Sequence, residues 1–223
     1  MDFQIAQVLE RSELQQIVSS LASRTFVDGK LTAQGLARKV KNNLQASRAN
    51  PEADEIDQIV FTAFRRNELL QRFAIPRRQT LPVFSRYEPG MEYGPHVDGA
   101  VMASGNDVIR TDLASTLFLS DPASYDGGEL VLQLPFGEQE IKLDAGEAII
   151  YSATTLHRVA PVTRGIRLVA LTWIQSAVPD ERLRAILFDL SGAFKRAESL
   201  GDTQLATDLN KSYHNLLRYA IHI

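Results

Sequence analysis

The chain has 223 residues, a formal net charge of −3 and no cysteine. Without cysteine there is no disulfide, thiolate metal site or cysteine nucleophile, so a metal would have to be bound through nitrogen and oxygen. A slightly acidic chain without a long apolar run has no overall attraction for nucleic acid or membranes, and we expect neither as a partner.

The first third of the chain is predicted to be helical. Apolar residues recur at helical spacing and predict helices over about 12–22, 33–46 and 53–73, the last ending before Pro76. The segment 1–7 lacks the basic and apolar parts of a signal peptide, which favours a cytoplasmic location.

From Leu81 the pattern changes to short β-type segments separated by Gly, Pro, Asp and Asn. Eight such segments without intervening helices predict a sandwich or jelly roll. Between them, Asp126-Gly127-Gly128 predicts a tight hairpin turn, and Met102–Asp112 predicts a loop that is either a lid or a plain surface loop. The predicted strands are Val83–Tyr87, Gly94–Asp98, Leu113–Leu119, Glu129–Leu134, Glu138–Leu143, Glu147–Tyr151, His157–Val159 and Arg167–Gln175.

Two helices are predicted after Pro179, one beginning at Asp180 and one over 203–220. The first carries an apolar stripe that must be covered, either by the outer helices or across a homodimer. We therefore expect an α+β chain with a mostly β core: a domain at 1–177, with helices at 1–80 and the core at 81–177, and a helical extension at 178–223. The stripe consists of Leu183, Ile186, Leu187 and Leu190.

The chemistry is predicted from the histidines. His96 and Asp98 are two residues apart on a predicted strand, so their side chains point to the same face. Together with His157 they would form the facial triad of two imidazoles and one carboxylate that holds iron(II) and leaves positions open. The remaining histidines, His214 and His222, have no partner at ligand spacing and are not expected to bind metal.

A His-x-Asp pair is common by chance, and a single histidine such as His157 is more often structural, so the interpretation depends on Arg167. This arginine begins an otherwise apolar strand, where a cation is rarely placed without an anionic partner. It is either a strand-edge arginine that reaches water, as we expect for Arg158 and Arg164, or the anchor of a dicarboxylate. Alternation places three more residues on its face, where they would line a pocket: Val169, Leu171 and Trp173.

The order of these residues along the chain resembles that in the iron(II)/2-oxoglutarate oxygenases: His96-x-Asp98, then His157, then Arg167. Four longer segments are similar to the bacterial PKHD-type hydroxylases, a prolyl and lysyl hydroxylase-like group, and the resemblance is strongest from about Arg86 to Ser176. The segments are Arg86–Met91, Tyr93–Asp98, Tyr125–Leu130 and Leu156–Arg167.

The resemblance implies a double-stranded β-helix with iron at its mouth, bound by His96, Asp98 and His157. It also implies 2-oxoglutarate as co-substrate on Arg167, O₂, release of succinate and CO₂, ascorbate as an additional requirement, and hydroxylation of a protein residue, amino acid or small metabolite. Tyr87 would either donate its hydroxyl to the co-substrate or be an ordinary strand aromatic. Trp173, on the face of Arg167, is expected beside the co-substrate.

Two other classes share a jelly roll. A cupin-like metal enzyme would not need Arg167, and many cupins carry a further histidine or glutamate near the first ligand pair, which is missing here. A binding module with a structural metal would usually close the metal with four protein ligands, whereas three are predicted here.

Overall fold

The computed structural model describes residues 3–33, 35–48, 54–104 and 107–221. The strands are β1 Phe3–Gln7, β2 Phe26–Asp28, β3 Lys41–Asn42, β4 Leu44–Ala46, β5 Pro76–Gln79, β6 Val83–Tyr87, β7 Glu92–His96, β8 Val101–Ser104, β9 Asp107–Arg110, β10 Leu113–Phe118, β11 Asp126–Gly127, β12 Leu130–Leu134, β13 Gly137–Ile141, β14 Glu147–Ser152, β15 His157–Val159, β16 Val162–Arg164 and β17 Arg167–Ser176. The helices are α1 Arg11–Ala22, α2 Gly35–Val40, α3 Glu55–Arg66, α4 Glu68–Ala74, α5 Glu181–Ser199 and α6 Thr203–Ala220.

Two antiparallel sheets form the centre of the molecule. The larger has the order β1-β14-β10-β17-β6-β4-β2, with β5 also on β17, and the smaller has the order β13-β12-β15-β7-β3. Because side chains alternate along a strand, β10 contributes to two cores. Ala114 and Phe118 pack toward Leu130 and Leu132 of the smaller sheet. The predicted jelly-roll architecture, a mostly β core with flanking helices, is confirmed.

The opposite face of the larger sheet is covered by helices. Leu113 and Leu117 of β10 belong to a core that also contains Ile17 of α1 and Val60 of α3. Helices α1 and α3 therefore each bury an apolar stripe against the sheet, which is where most of their stability comes from. No helix among the described residues is long and apolar enough to cross a membrane.

The N-terminal third contains strands that the helical prediction missed. The predicted helix 33–46 is wrong beyond Val40, because 41–42 and 44–46 are extended and pair with β7 and β6. Pairing with an existing sheet edge outweighs a weak local helix preference, which adjacent asparagines, Asn42 and Asn43, lower further. The predicted helix 53–73 is interrupted at Asn67, whose side chain caps α4, and its first residue, Ala53, lies outside the described residues.

The C-terminal helices pack on the same chain. On α5, Phe188 meets Phe73 of α4 edge-on at 5.6 Å, and Ser191 accepts a hydrogen bond of 2.9 Å from Arg72 Nε. Leu187 is buried with Leu183 in a cluster that includes Leu216 of α6. Ile186 of the predicted stripe is 48% exposed and lies outside this contact. The division of the chain at 177 stays a prediction.

We expect a chain truncated after Ser176 to be insoluble. Its loss of α5 would expose Phe73 and Ile75, which now pack against the C-terminal helices, and each large buried apolar side chain contributes about 1.5–3 kcal/mol. The measurement is the fraction of the expressed chain that is soluble. The control is a chain that ends at Leu200, which lacks α6 but keeps α5. A soluble truncation with an intact melting transition would show that the extension is dispensable.

Candidate active site

Two paired strands bring the predicted histidines together. His96 is the last residue of β7 and His157 the first of β15, and the two face each other across this antiparallel pair. Asp98 follows two residues beyond the end of β7, so the predicted strand Gly94–Asp98 ends earlier than expected. One donor atom from each of the three side chains lies within 4.8 Å of the others, and His157 Nε2 is 4.0 Å from Asp98 Oδ1.

Backbone carbonyls fix the tautomer of both imidazoles. His96 Nδ1–H donates to the Gly94 carbonyl at 2.8 Å, and His157 Nδ1–H donates to the Thr155 carbonyl at 2.9 Å. A carbonyl only accepts, so in each neutral ring the proton is on Nδ1 and the lone pair is on Nε2. This is the usual support for a metal-binding histidine, whose second nitrogen donates to a carbonyl or carboxylate.

Aromatic rings hold the two imidazoles in place. Tyr93 stacks on His96 with 3.6 Å between ring centroids, and Tyr151 meets His157 edge-on at 5.3 Å. Gly94 allows α2 to approach β7, because a Cβ at this position would lie 2.8 Å from Val40 Cβ. The ligand geometry is therefore set by packing from both sides of β7.

Burial favours the neutral forms of both His96 and Asp98. Desolvation, assisted by the neighbouring His157, lowers the pKa of His96 to about 4, so the ring is neutral near pH 7. Burial raises the pKa of Asp98, while His157, the indole of Trp173 and Lys41 act in the opposite direction. A metal ion would supply the positive charge that favours the ionised carboxylate.

Arg167 is placed deep in the same pocket. It is 1% exposed, lies opposite Tyr87 in the β6–β17 pair, and its guanidinium carbon is 5.0 Å from the Tyr87 ring centroid and 5.4 Å from that of Phe118. Its Nε and Nη1 have no hydrogen-bond partner among the described residues. Burial lowers the pKa of this guanidinium, yet arginine stays charged in proteins, so the site contains a cation with free donors.

The Asp126-Gly127-Gly128 segment is not the hairpin turn predicted from its sequence. Asp126 and Gly127 form β11, which pairs with β16, and Gly127 and Gly128 have φ of +72° and +69°. Both glycines are needed for close contact. A Cβ on Gly127 would lie 2.0 Å from the Pro161 carbonyl oxygen, and one on Gly128 would lie 2.9 Å from Arg167 Cδ. The segment therefore packs against the arginine.

One cavity of about 940 Å³ contains the triad, Arg167, Tyr87 and Trp173. The indole Nε1 of Trp173 lies close enough to Asp98 to affect its pKa, although it does not reach the geometry of a hydrogen bond. Of the other residues predicted on this face, Leu171 lines the cavity and Val169 is buried in the core between the sheets.

The cavity residues that sequence reasoning missed include Lys41, Tyr93 and Tyr151. Lys41 was hidden by the wrong helix prediction, although a run of Lys-Asn-Asn is a weak helix former. Tyr93 occurs in the Tyr93–Asp98 segment of the family resemblance, which was a signal. Tyr151 ends a predicted strand, and only its register with β10 shows which way it faces.

The segment predicted as a loop, Met102–Asp112, is largely a hairpin of β8 and β9. Val101, Met102 and Ala103 line the cavity mouth, while Gly105 and Asn106 lie outside the described residues. Its lid function stays a prediction.

Three other arginines considered in the sequence analysis or near the site, and His214, do not line the cavity. Arg110 pairs with Asp112, Arg158 with Glu138 and Arg164 with Asp126. His214 is exposed on α6 beside Tyr213, and His222 lies outside the described residues.

Comparison with known proteins gives one consistent result. The profile of the 2OG-Fe(II) oxygenase superfamily matches residues 82–175. The chain is 46% identical over 215 residues to a PKHD-type hydroxylase of Synechococcus sp. (strain JA-2-3B'a(2-13)), covering 96% of each protein. It is also 46% identical over 199 residues to a PKHD-type hydroxylase of Burkholderia ambifaria (strain MC40-6), covering 88% of each.

Solved structures share the fold at lower identity. A prolyl-4-hydroxylase of Pseudomonas putida superposes with a TM-score of 0.59 at 20% identity, covering 78% of this chain and 92% of that one. HygX of Streptomyces hygroscopicus, solved with nickel, 2-oxoglutarate and hygromycin B bound, superposes with a TM-score of 0.55 at 14% identity, covering 78% and 83%.

Proposed function

The chain belongs to the 2OG-Fe(II) oxygenase superfamily and, within it, to the PKHD-type hydroxylases, and on that premise we propose that His96, Asp98 and His157 hold its iron(II) and Arg167 its 2-oxoglutarate. The chain is an oxygenase, and its family implies iron(II), 2-oxoglutarate, O₂ and a further substrate as its reactants. The observation that carries the residue assignment is the convergence of three donor groups beside a buried, unpaired guanidinium.

The triad fits iron(II) by its chemistry. Both Nε2 atoms are free because Nδ1 of each ring is used by a backbone carbonyl, and Asp98 adds one negative charge. Two imidazoles and a carboxylate are the ligand set of non-haem iron(II) oxygenases, which leave positions open for substrates. Trp173 and the stacked Tyr93 would restrict the orientations of Asp98 and His96.

Arg167 fits the distal carboxylate of 2-oxoglutarate. A buried guanidinium with two unpartnered nitrogens is costly unless an anion completes it, and its planar fork matches a carboxylate with two parallel hydrogen bonds. Tyr87 lies opposite Arg167 on β6, and Tyr151 and Leu171 also line the cavity. We infer that these side chains enclose the co-substrate and exclude water around it.

When bound, iron(II) and 2-oxoglutarate supply the oxidising chemistry, in which O₂ is consumed, succinate and CO₂ are released and a substrate C–H becomes C–OH. The protein's contribution is to position the reactants. Arg167 would orient 2-oxoglutarate toward the triad, and the backbone hydrogen bonds of the two imidazoles would keep Nε2 directed at the metal.

The remaining expectations come from the sequence. Ascorbate is supported by the family resemblance, and the lack of nucleic-acid or membrane partners by composition, while the cytoplasmic location stays a prediction. A homo-oligomer through the C-terminal helices stays a prediction. The substrates named for the similar solved structures are those of the other proteins and are not assigned to this chain. The cupin-like and structural-metal alternatives are disfavoured, because each leaves a buried unpaired Arg167 without a purpose.

The test is anaerobic addition of iron(II) and 2-oxoglutarate. We expect a weak visible charge-transfer band that needs both components, and a search of cell extract for products heavier by one oxygen atom would then identify the substrate. A protein that binds iron(II) without producing the band on addition of 2-oxoglutarate would contradict the assignment.

We expect Gly128→Ala to weaken 2-oxoglutarate binding without loss of iron, because the new Cβ would displace Arg167 Cδ. Gly90→Ala is the matched control: Gly90 also has a positive φ, of +86°, but nothing lies within 4 Å of its Cβ position. Both changes cost about 1–2 kcal/mol of backbone strain, so this cost is matched between the two variants. Because only Gly128→Ala also disturbs Arg167, only this variant should raise the KM for 2-oxoglutarate, by roughly tenfold. Equal KM values for the two variants would show that the contact between Gly128 and Arg167 does not matter for 2-oxoglutarate binding.

A further inference from the structure

The cavity is lined by more positive than negative charge. Among the described residues the Lys, Arg, Asp and Glu side chains that line it are three cations and one carboxyl group: Lys41, Arg48, Arg167 and Asp98. Arg48 is paired with the fully buried Asp57, with Nη2 at 2.8 Å from Oδ1. Arg167 is assigned to 2-oxoglutarate. Lys41 is therefore the cation of the cavity that has no assigned counter-ion.

Lys41 is a buried ammonium with unused donors. It begins β3 opposite Tyr93, is 6% exposed, and its Nζ donates to Thr32 Oγ1 at 3.0 Å and lies 5.2 Å from the Tyr93 ring centroid. Among the described residues no carboxylate oxygen lies within 4.0 Å of Nζ, although an ammonium has three N–H donors. Burial lowers the pKa of Lys41 to about 8, which still leaves it mostly charged near pH 7.

The two cations occupy different parts of the cavity. Lys41 is on the edge strand of the smaller sheet and is among the charges that act on Asp98. Arg167 is on β17 of the larger sheet, and the groups that act on it are Tyr87, Tyr125, Tyr151 and Glu129. The cavity therefore offers two separate positions for an anion.

A count of the charges of the metal, the co-substrate and the cavity side chains leaves one positive charge without a negative partner. This step rests on the proposed function. Iron(II) brings two positive charges and Arg167 one, while 2-oxoglutarate brings two negative charges and Asp98 one, so these cancel. Lys41 then remains as one buried positive charge without an ion-pair partner among the described residues, because Asp28 acts on it only from beyond ion-pair distance, and such a charge is costly. A substrate with a single negative charge would neutralise it.

The mouth of the cavity indicates what the rest of such a substrate is like. Four exposed apolar side chains line it, from α2, the segment after β7, the β8 strand and the turn before β15. Exposed apolar residues gathered around a cavity mark a binding surface more often than isolated ones do. These residues are Leu36, Val97, Val101 and Leu156.

We propose that the substrate is an apolar carboxylic acid, whose carboxylate binds Lys41 while its apolar part lies against the cavity mouth. The reaction is the 2-oxoglutarate-dependent hydroxylation described above, in which the substrate C–H becomes C–OH with one oxygen atom of O₂. The other oxygen atom enters succinate, and 2-oxoglutarate supplies two electrons as it loses CO₂.

The test uses the anaerobic iron(II)–2-oxoglutarate protein, so that Arg167 is occupied and nothing turns over. The probes are N-acetyl-L-leucine and N-acetyl-L-leucinamide, which differ in the charge of one group. Binding is read from the fluorescence of Trp173, the chain's one tryptophan, which lines the cavity. Capped tripeptides ending in leucine, as acid and amide, show whether a free acid or a chain terminus binds more tightly.

We expect the wild-type protein to bind the acid at least about tenfold more tightly than the amide, because one charge-assisted hydrogen bond is worth that much. Lys41→Met should lose this preference, and Lys39→Met, which removes an exposed charge nearby, should keep it. The charge-transfer band of each variant shows that the fold and the co-substrate site are intact.

Equal affinity of the wild-type protein for acid and amide would overturn the proposal, with no variant needed. An acid preference that persists in Lys41→Met would overturn it as well. Absence of the charge-transfer band from the wild-type protein would instead contradict the proposed function, since Trp173 fluorescence detects the probes independently of that band.

Discussion

His96→Ala, Asp98→Ala and His157→Ala should each lose iron(II) and hydroxylation while the fold stays intact. Loss of a group that merely supports a ligand commonly costs 10- to 100-fold in metal affinity, so loss of a ligand should cost more than about 10²-fold. The fold should survive, because the three side chains meet one another in the cavity and do not fill either apolar core. The measurements are iron content after dialysis and the thermal melting curve.

Asp98→Asn is the sharpest member of this series. It keeps the shape of the side chain and removes the one negative charge that the protein supplies to the metal, so we expect nearly the full loss. His214→Ala, an exposed histidine on α6, is the matched control and should bind iron as the wild-type chain does. A His157→Ala variant with full iron content and activity would end the assignment of the triad.

The β core and the grouping of the candidate site residues could be predicted because their signals are local. His96 and Asp98 sit two residues apart, so the extended backbone alone puts them on one face. Arg167 was notable because a cation begins an otherwise apolar strand, and the structure buries it in the same cavity. The strand β6 was predicted at its exact bounds, since Val83–Tyr87 is preceded and followed by turn residues.

The N-terminal third could not be predicted in the same way, because its strands depend on distant partners. The β1 strand exists through its pairing with β14, and β3 through its pairing with β7. Two- or five-residue strands of mixed composition carry little signal of their own, and a helical reading of 33–46 was locally reasonable. The consequence for function was specific: the error concealed Lys41, which lines the cavity.

Glycine positions show a second limit of sequence reasoning. The Asp126-Gly127-Gly128 segment has the composition of a hairpin turn, yet it forms a strand edge against Pro161 and Arg167. The positive φ was predictable, since glycine adopts it without penalty. The reason for the two glycines was not predictable, because the atoms that approach them most closely belong to residues distant in sequence.

Arg167→Ala should bind iron normally and lose most of its affinity for 2-oxoglutarate. Hydrogen bonds to charged partners contribute about 1.5–3 kcal/mol each, so loss of a bidentate pair should weaken binding by roughly 10²-fold or more. Arg167→Lys should recover part of this, because a point charge replaces a planar fork. The measurement is titration of 2-oxoglutarate into the anaerobic iron(II) protein, with Arg164→Ala as control, since that arginine is exposed and paired with Asp126.

Stability separates a binding role of Arg167 from a structural one. In the protein without 2-oxoglutarate, Nε and Nη1 are buried without partners among the described residues, so the guanidinium costs free energy that its contacts with Tyr87 and Phe118 only partly offset. Arg167→Met, which keeps much of the volume and removes the charge, should therefore melt at the wild-type temperature or above it. Added 2-oxoglutarate and iron(II) should stabilise the wild type and leave this variant with the stabilisation from iron alone. If Arg167→Met instead melts lower and still binds 2-oxoglutarate as tightly as the wild type, Arg167 is a structural residue. The co-substrate would then have to be held by another cation of the cavity, and Lys41 is the one without an ion-pair partner among the described residues.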